Sequence, residues 1–331
     1  MTDRAQVAVQ GYWRRSSRRD MLAAVAMIAV AGALFFVLPT NLALLTRIVA
    51  VMLLVLSLDL VTGLAGIATL GQAALFGAGA YGAAIAAARF GITDPLAMLA
   101  VGALAGAVAG MLSSLVILRG RGLSQLVLSI AIVQLAHEAA NKFSSWTGGS
   151  DGLSGFAPSP LLGLFRFDLW GRTGYGLAVV VLIVTVLFLR LVVRSPFGML
   201  CRGIRQDRVR AEAMGAPVQA TLVKLYAIAG AVAGLGGALT AVSTKVVGLD
   251  SLSFTLSAEA LVMLVLGGTG KLVGAMVGTL VFMLVEDRVA AINPFHWLSI
   301  IGALLIATVL FAPRGLVGTA ERLWLERRRR S

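Results

Sequence analysis

The sequence PLAMLAVGALAGAVAGMLSSLVIL, residues 95–118, is an apolar run of 24 residues without a charged side chain. At about 1.5 Å per helical residue, such a run is long enough to cross the hydrocarbon core of a bilayer, which is roughly 30 Å thick. Glycine recurs at every fourth position, at Gly102, Gly106 and Gly110, and small residues at this spacing let membrane helices approach closely. The stretch therefore predicts a membrane-spanning helix that packs tightly against its neighbours.

Seven other apolar runs have about the length of a membrane span: residues 21–38, 42–61, 67–88, 122–140, 174–193, 221–243 and 295–312. The 331-residue chain is 59% hydrophobic and 13% charged, whereas about a quarter of the residues of soluble domains are charged. Too few polar side chains remain to cover a soluble domain, and a disordered chain would be far less hydrophobic. We predict an all-α integral membrane protein, a polytopic helical bundle of about eight full spans.

The positive charge of the chain is concentrated in three segments. The formal net charge is +13, and residues 1–20, 190–224 and 314–331 hold 18 of the 28 Lys and Arg residues with six acidic residues, a net +12. Basic residues beside apolar runs mark cytoplasmic ends and loops, and the interleaved aromatic residues of a nucleic-acid surface are nearly absent. We expect both termini in the cytoplasm, with a basic N-terminal segment over 1–20, a transmembrane domain over 21–313 and a basic tail over 314–331.

One further apolar region, residues 257–285, is interrupted by the string GGTGK at 267–271. The halves, of about 11 and 14 residues, are each too short to cross a bilayer. One straight crossing would also place the basic residues 327–330 outside, against the charge rule. We therefore predict a re-entrant hairpin or two short broken halves, which could form one wall of a transport pathway, because non-helical backbone at membrane depth must be buried or line a wet cavity.

Two longer segments are too polar to be spans. Residues 141–173 are rich in glycine and fall on the outer face in this topology, whereas the basic residues 194–220 fall in the cytoplasm. The second segment predicts a short amphipathic helix with Leu200, Ile204 and Met214 on its apolar face, ended by Gly215. Such a helix is either held to anionic headgroups or serves as a docking element for a soluble partner.

Several kinds of chemistry are absent from the sequence. Two glycine-rich strings imitate nucleotide-binding motifs, GAGAYG at 77–82 and GTGK at 268–271, but the first lies in an apolar run without the required strand and the second lacks the first glycine and the Ser or Thr of a phosphate loop. The single Cys201 and the isolated His137 and His296 have no metal-ligand spacing. We therefore expect no nucleotide site, no cofactor and no enzymatic activity in this chain.

Charged residues within the spans are few. Arg47 and Asp59 lie twelve residues apart in the run 42–61, and because buried charges are costly in hydrocarbon, we expect both to reach the membrane interface, with a polar interior as the alternative for Asp59. No series of acidic or histidine residues crosses several spans, as a proton-driven pump would need. The sequence thus argues against a transporter that powers itself.

Four blocks of sequence, taken together, resemble one family of transport proteins. They are GLAG at 63–66 with LGQAALFGAGAY at 70–81, TGGSDGL at 147–153, SPFG at 195–198 with RAEAMG at 210–215, and VLGGTG at 265–270. In this order they resemble the membrane permease subunit of branched-chain amino acid ABC importers, in its LivM-type branch, over residues 40–318. The family commonly has a small or neutral residue after the last glycine cluster, where this chain has Lys271.

The resemblance implies a permease of the bacterial inner membrane that moves branched-chain amino acids inward by alternating access. The implied partners are a LivH-type second permease, two separate ABC ATPase subunits and a periplasmic substrate-binding protein. Residues implied in ATPase coupling are Arg205, Arg208, Glu212, Ala213 and Gly215. Expected contacts of the binding protein are Thr147, Gly148, Gly149, Asp151 and Gly152, and candidates for lining the pathway are Gly71, Gln72, Gly267, Gly268 and Gly270.

Two alternative functions stay open at this point. Relatives of such permeases share the scaffold, so the substrate could instead be urea, a short amide or an aromatic carboxylate. The alternative from another class is an ion-coupled secondary carrier. Uptake that persists without ATPase subunits but collapses with the proton gradient would identify the carrier.

Overall fold

The computed structural model describes residues 41–120, 122–160 and 171–292, together with 302, 315–316 and 318–319. The predicted first and last spans, residues 21–38 and 295–312, lie almost wholly outside these residues, as do the N-terminal segment and most of the basic tail. Throughout the described part of the chain the regular structure is helical, apart from one isolated bridge between Leu153 and Val247. The all-α prediction is confirmed for this part.

Long helices account for most of the described residues. They are α1 Leu42–Leu58, which continues directly into a π-helix Asp59–Leu64, α2 Gln72–Phe90, α3 Pro95–Ile117, α4 Leu123–Lys142, the short α5 Ser144–Thr147, α6 Arg172–Arg194, α7 Pro196–Gln206, α8 Arg208–Ala213, α9 Val218–Thr244, α10 Phe254–Gly267 and α11 Leu272–Ile292. Short 3-10 turns occupy Gly149–Asp151 and Leu249–Leu252.

Six helices of the described residues are long and apolar enough to cross a membrane. They correspond to the predicted runs 42–61, 67–88, 95–118, 122–140, 174–193 and 221–243. Local signals explain their ends: the Asp94 side chain accepts a hydrogen bond from the Leu96 amide at 3.1 Å and starts α3, whereas Gly91, with a φ of 66°, terminates α2. The chain is thus a multi-pass membrane protein.

Helix α9 lies at the centre of the bundle and packs against α1, α2 and α3. Glycines line these contacts: a Cβ added to Gly106 of α3 would lie 2.8 Å from the Gly234 Cα, and a Cβ on Gly79 of α2 would lie 2.7 Å from the Gly234 carbonyl carbon. The glycine spacing of residues 102–110 therefore serves close backbone packing, as the sequence predicts. We call the glycines at positions 79, 102, 106, 110, 230 and 234 the glycine seam.

The glycine-broken region forms two helices, α10 and α11, whose directions differ by 115°. The break lies where Gly268 and Gly270 take φ values of 106° and 80°, which side chains other than glycine rarely adopt. This geometry excludes one straight crossing helix and favours the hairpin alternative. The second half is longer than predicted, because α11 continues to Ile292 through the charged residues 286–288 that marked its predicted end.

The arms of this hairpin return to the same part of the bundle. Glu259 of α10 and Glu286 of α11 both interact electrostatically with Arg47 of α1. Both helices also pack against α1 and against each other, so with the change of direction of 115° at the break α11 turns back toward the side of the bundle that α10 contacts. The break itself lies beside the π-helix Asp59–Leu64.

The two ends of the bundle are joined by α9. It begins next to α7 and α8 and ends before Val247, which exchanges backbone hydrogen bonds of 2.8 and 3.0 Å with Leu153 of the loop after α5. We call the end of the bundle beside α7 and α8 the α7 end, and the end with the Leu153–Val247 bridge the loop end. Between them, α3, α4 and α6 expose large apolar side chains such as Leu104, Leu135 and Val184, as helices do that contact lipid or another membrane subunit.

Candidate functional site

The polar segment at the α7 end forms two helices rather than the single predicted one. Asp207 has extended backbone (φ −157°) between α7 and α8, and its carboxylate accepts a hydrogen bond from the Arg210 amide at 2.9 Å, which caps α8. The break turns the second helix, so that Ala211 is its buried residue and Met214 is 76% exposed. The prediction that Met214 shares one apolar face with Leu200 and Ile204 is therefore wrong.

Helix α7 is packed firmly onto the membrane bundle. Cys201 and Ile204 are buried, and Gly198 lies against the end of α6, where an added Cβ would come within 2.7 Å of the Val193 carbonyl carbon. Burial raises the pKa of the Cys201 thiol to about 11, because the thiolate is disfavoured away from water. Cys201 therefore stays a neutral thiol at physiological pH and is a poor nucleophile.

Arg205 of α7 contacts the membrane bundle directly. Its guanidinium donates a hydrogen bond to the carbonyl oxygen of Gly63 in the π-helix. Its aliphatic part lies over Gly66, where a Cβ would come within 2.7 Å of the Arg205 Cγ. The structure thus places this predicted coupling residue on the bundle itself, and the π-helix, a feature that is often found at functional sites, supplies the acceptor.

Asp59, at the start of the π-helix, is buried and binds the break between α10 and α11. Its Oδ1 accepts a hydrogen bond from the Gly270 amide at 2.6 Å, and the charge of Arg205 also acts on this carboxylate. Asp59 is therefore buried within the protein beside polar partners, as in the alternative of a polar interior. Arg205, Gly63, Asp59 and Gly270 form one continuous set of contacts, which we call the Arg205 relay.

The predicted pathway residues lie near the relay. Gln72 is buried at the first turn of α2, where the Ser57 hydroxyl donates to its Oε1 at 3.2 Å, and its Nε2 has no partner among the described residues. The preceding Gly71 amide donates to the Thr69 hydroxyl at 3.0 Å. Since Ser57 and Asp59 are two residues apart, the structure brings Gln72 and Gly270 to the point where α1 passes into the π-helix. Gly267 instead packs in the hairpin, where an added Cβ would lie 3.1 Å from the Gly278 Cα.

Sequence reasoning missed the serines that hold this region together. The Ala73 amide donates to the Ser257 hydroxyl of α10 at 3.0 Å, and the Leu70 amide donates to the Ser129 hydroxyl of α4 at 2.9 Å. The first bond satisfies an amide in the first turn of α2, which has no partner within the helix, and the second fixes the chain just before α2 begins. The available signal was the serines within the two apolar runs, Ser257 in the run of α10 and Ser124 and Ser129 in the run of α4.

The remaining coupling candidates line the solvent side of α8. Arg208 Nε and Glu212 Oε1 are 3.1 Å apart, one helical turn from each other, and Gly215, with a φ of 81°, follows the exposed residues at the end of the helix. Ala213 is also exposed. Between α7 and α8 lies an open groove of about 410 Å³, lined by Met199, Leu200, Gly203, Gln206, Asp207, Arg210, Ala211, Met214 and Ala216.

At the loop end, most residues of the TGGSDGL block shape the loop itself. Thr147 and Gly149 are buried, and the Thr147 hydroxyl lies 2.9 Å from the Phe143 carbonyl oxygen. Gly148 and Gly152 have φ values of 79° and 73°. Asp151 is exposed and remains available to a partner.

A family model described as "Branched-chain amino acid transport system / permease component" matches residues 40–309. The chain belongs to this permease family. The matched residues begin just before α1 and include all three elements of the Arg205 relay, which are the π-helix, α7 and the break between α10 and α11.

Curated relatives are similar at modest identity. The chain is 24% identical over 284 residues to the "High-affinity branched-chain amino acid transport system permease protein LivM" of Escherichia coli (strain K12), covering 79% of this chain and 66% of the relative. It is 25% identical over 320 residues to LivM of Salmonella typhimurium, covering 89% and 74%. The permease protein LivH of Escherichia coli (strain K12) is 28% identical over 128 residues, covering 38% and 41%. No solved structure is a significant match.

Proposed function

We propose that this chain is the LivM-type permease subunit of an ATP-binding-cassette importer, which moves branched-chain amino acids inward across the bacterial inner membrane. Its partners in this proposal are a LivH-type permease, two separate ATPase subunits and a periplasmic binding protein. The family match over residues 40–309 supports the permease class. The observation that carries the coupling part is the Arg205 relay, because it joins α7 of the polar segment through the π-helix to the break between α10 and α11.

The groove between α7 and α8 is the proposed docking site of an ATPase subunit. Met199 and Met214 are exposed at this groove, and unbranched methionine side chains adapt well to a partner surface. Arg210 and Asp207 add one charge of each sign at the rim. The groove therefore suits an apolar side chain of a soluble partner surrounded by polar contacts.

Movement of the docked helices would reach the pathway through the relay. A displacement of α7 carries Arg205 and with it the Gly63 carbonyl of the π-helix. Asp59 in the same π-helix holds the Gly270 amide, so the break between α10 and α11 follows. Tightly packed interfaces convert such small shifts into a change between two discrete arrangements, which is the requirement of alternating access. At the loop end, exposed Asp151 is the proposed contact of the binding protein.

Replacing both Met199 and Met214 by glutamate is expected to abolish association with the ATPase subunits. The substitutions place two charges in the apolar part of the groove, where they would lose water on docking. Co-purification of the permease pair with its ATPases measures this, with an expected loss of at least about tenfold. Val246→Glu, at an apolar position of the loop end that is 47% exposed, is the control. Unchanged co-purification of the double variant would contradict the docking assignment.

A further inference from the structure

Of the six spans that the structure describes, α4 is the one that the rest of the bundle covers least. In its most apolar stretch of 18 residues 22% are buried, against 33% in α3 and in α6 and 72% in α9. The buried residues Gln125, Ser129 and Val133 form one narrow face toward the bundle. The opposite face of α4 therefore meets either lipid or another protein.

This opposite face carries a line of residues at alternating intervals of three and four. All six are exposed, and four of them have hydrogen-bonding side chains; they are Ser124, Val127, Ala131, Gln134, Glu138 and Asn141. Such spacing places side chains along one side of a helix, in the pattern by which two helices pack lengthwise. We call these six residues the α4 stripe.

Gln134 of the α4 stripe lies near the middle of the span. Counted at about 1.5 Å per residue, it is roughly 12 Å from the Lys142 end of the helix and 16 Å from the Leu123 end. Gln134 is exposed, and its amide has no hydrogen-bond partner among the described residues. Its side chain is too short to reach the headgroups from this depth, and an unpaired amide in hydrocarbon is costly. Gln134 therefore needs a polar partner, which lipid chains cannot supply.

The exposed faces of α3 and α6 differ from the α4 stripe in chemistry. Near the middle of these two helices the large exposed side chains are all apolar, namely Leu104, Val108, Met111 and Leu112 of α3 and Val180, Val184, Leu187 and Phe188 of α6. Lipid tails accommodate such side chains as well as a protein does. The polarity of the α4 stripe, and not its exposure, therefore favours a protein partner.

We propose that the α4 stripe is the surface through which this chain binds the second permease subunit, an inference that rests on the proposed function. Membrane helices associate through small residues and through hydrogen bonds between polar side chains, and the stripe offers both at Ala131 and Gln134. The occupant is a membrane helix of the LivH-type permease that presents a hydrogen-bonding side chain to Gln134. The predicted first span of this chain, residues 21–38, has no such side chain to offer.

The first test uses the full complex with the second permease, ATPases and binding protein, purified through a tag on this chain. Ala131→Phe places a large side chain in the α4 stripe, and we expect it to lower the amount of co-purified second permease at least about tenfold. The matched control is Val184→Phe, because Val184 is 61% exposed on α6, where lipid accommodates the larger ring. This control should retain the partner within about twofold.

Gln134→Leu keeps the approximate size of the side chain and removes its hydrogen bonds. At a protein contact, we expect the second permease to be retained about three- to tenfold less well when the complex is diluted in detergent. At a lipid-facing position, leucine would be solvated better than glutamine, and retention would be unchanged or improved. Unchanged retention in both Ala131→Phe and Gln134→Leu would overturn the inference.

A photoreactive benzoylphenylalanine at position 134 identifies the neighbour directly. We expect a cross-link to the second permease, which should be absent when the same group is placed at position 184. A cross-link only to lipid, to a second copy of this chain, or to residues 21–38 or 295–312 of the chain itself would overturn the inference and leave the proposed function intact. If the unmodified chain co-purifies with no second permease, both the inference and the proposed function are refuted.

Discussion

Replacement of Gly106 by alanine should destabilise the folded bundle by about 3 kcal/mol, the upper part of the range for overpacked interiors. The added Cβ would lie 2.8 Å from the Gly234 Cα and 3.0 Å from the Gly234 nitrogen. Both neighbours are backbone atoms of α9, which also packs against α1 and α2, so they cannot yield without separating α3 from the centre of the bundle. Unfolding of the purified chain in detergent, followed by circular dichroism, measures the loss.

Gly176→Ala is the matched control for this substitution. Gly176 lies within the membrane helix α6, and an added Cβ would meet nothing within 4 Å. Because alanine is the better helix former by up to about 1 kcal/mol, this variant should be as stable as the unmodified chain or slightly more stable. Equal stability of the Gly106 and Gly176 variants would contradict the packing of the glycine seam.

Arg205→Ala is expected to reduce ATP-driven uptake at least about tenfold while the ATPase subunits still bind. The substitution removes the charged donor of the Gly63 carbonyl and the aliphatic cover of Gly66. It leaves the docking groove intact, because Arg205 does not line it. ATP hydrolysis should then no longer respond to the amino acid, since the movement of α7 no longer reaches Gly270. Uptake and ATP hydrolysis in proteoliposomes, with co-purification of the ATPases, measure the three quantities.

Two further measurements distinguish a loss of coupling between α7 and Gly270 from a displacement of α7. Arg202→Ala is the control on the same helix, because Arg202 donates to the Val193 carbonyl at 3.1 Å and has no bond to the π-helix; its uptake should stay within about twofold. Cys201 reports the position of α7, since its buried thiol, with a pKa of about 11, should react slowly with maleimide at neutral pH. Normal uptake by Arg205→Ala would refute the relay. Rapid labelling of Cys201 in this variant would show that α7 has moved, and its lost uptake would then result from that displacement.

The membrane spans could be predicted because a bilayer imposes a simple requirement of length and apolarity on each helix. The run at residues 95–118 predicted α3 and its close packing, but its spacing could not show that Gly106 meets Gly230 and Gly234, more than a hundred residues later. The direction of α11 could be argued only from charge. The structure supports the hairpin through backbone angles at Gly268 and Gly270.

The candidate site was less predictable, because its important acceptors are backbone groups. Arg205 stood out as a basic residue of a polar segment, yet a carbonyl such as that of Gly63 leaves no signature in sequence. Asp59 was ambiguous since a carboxylate near a span end suits both an interface and a buried amide. The division into α7 and α8 had a usable signal: Asp207 lies three residues before Arg210, as expected of a capping residue.

Uptake of radiolabelled leucine into proteoliposomes tests most directly whether this permease is powered by separate ATPases. The chain is reconstituted with its second permease and binding protein, with or without ATPase subunits, and assayed with ATP inside or with an imposed proton gradient. We predict uptake that needs the ATPases and ATP and is unaffected by a protonophore. Uptake by the permeases alone that collapses with the proton gradient would contradict this and identify an ion-coupled carrier.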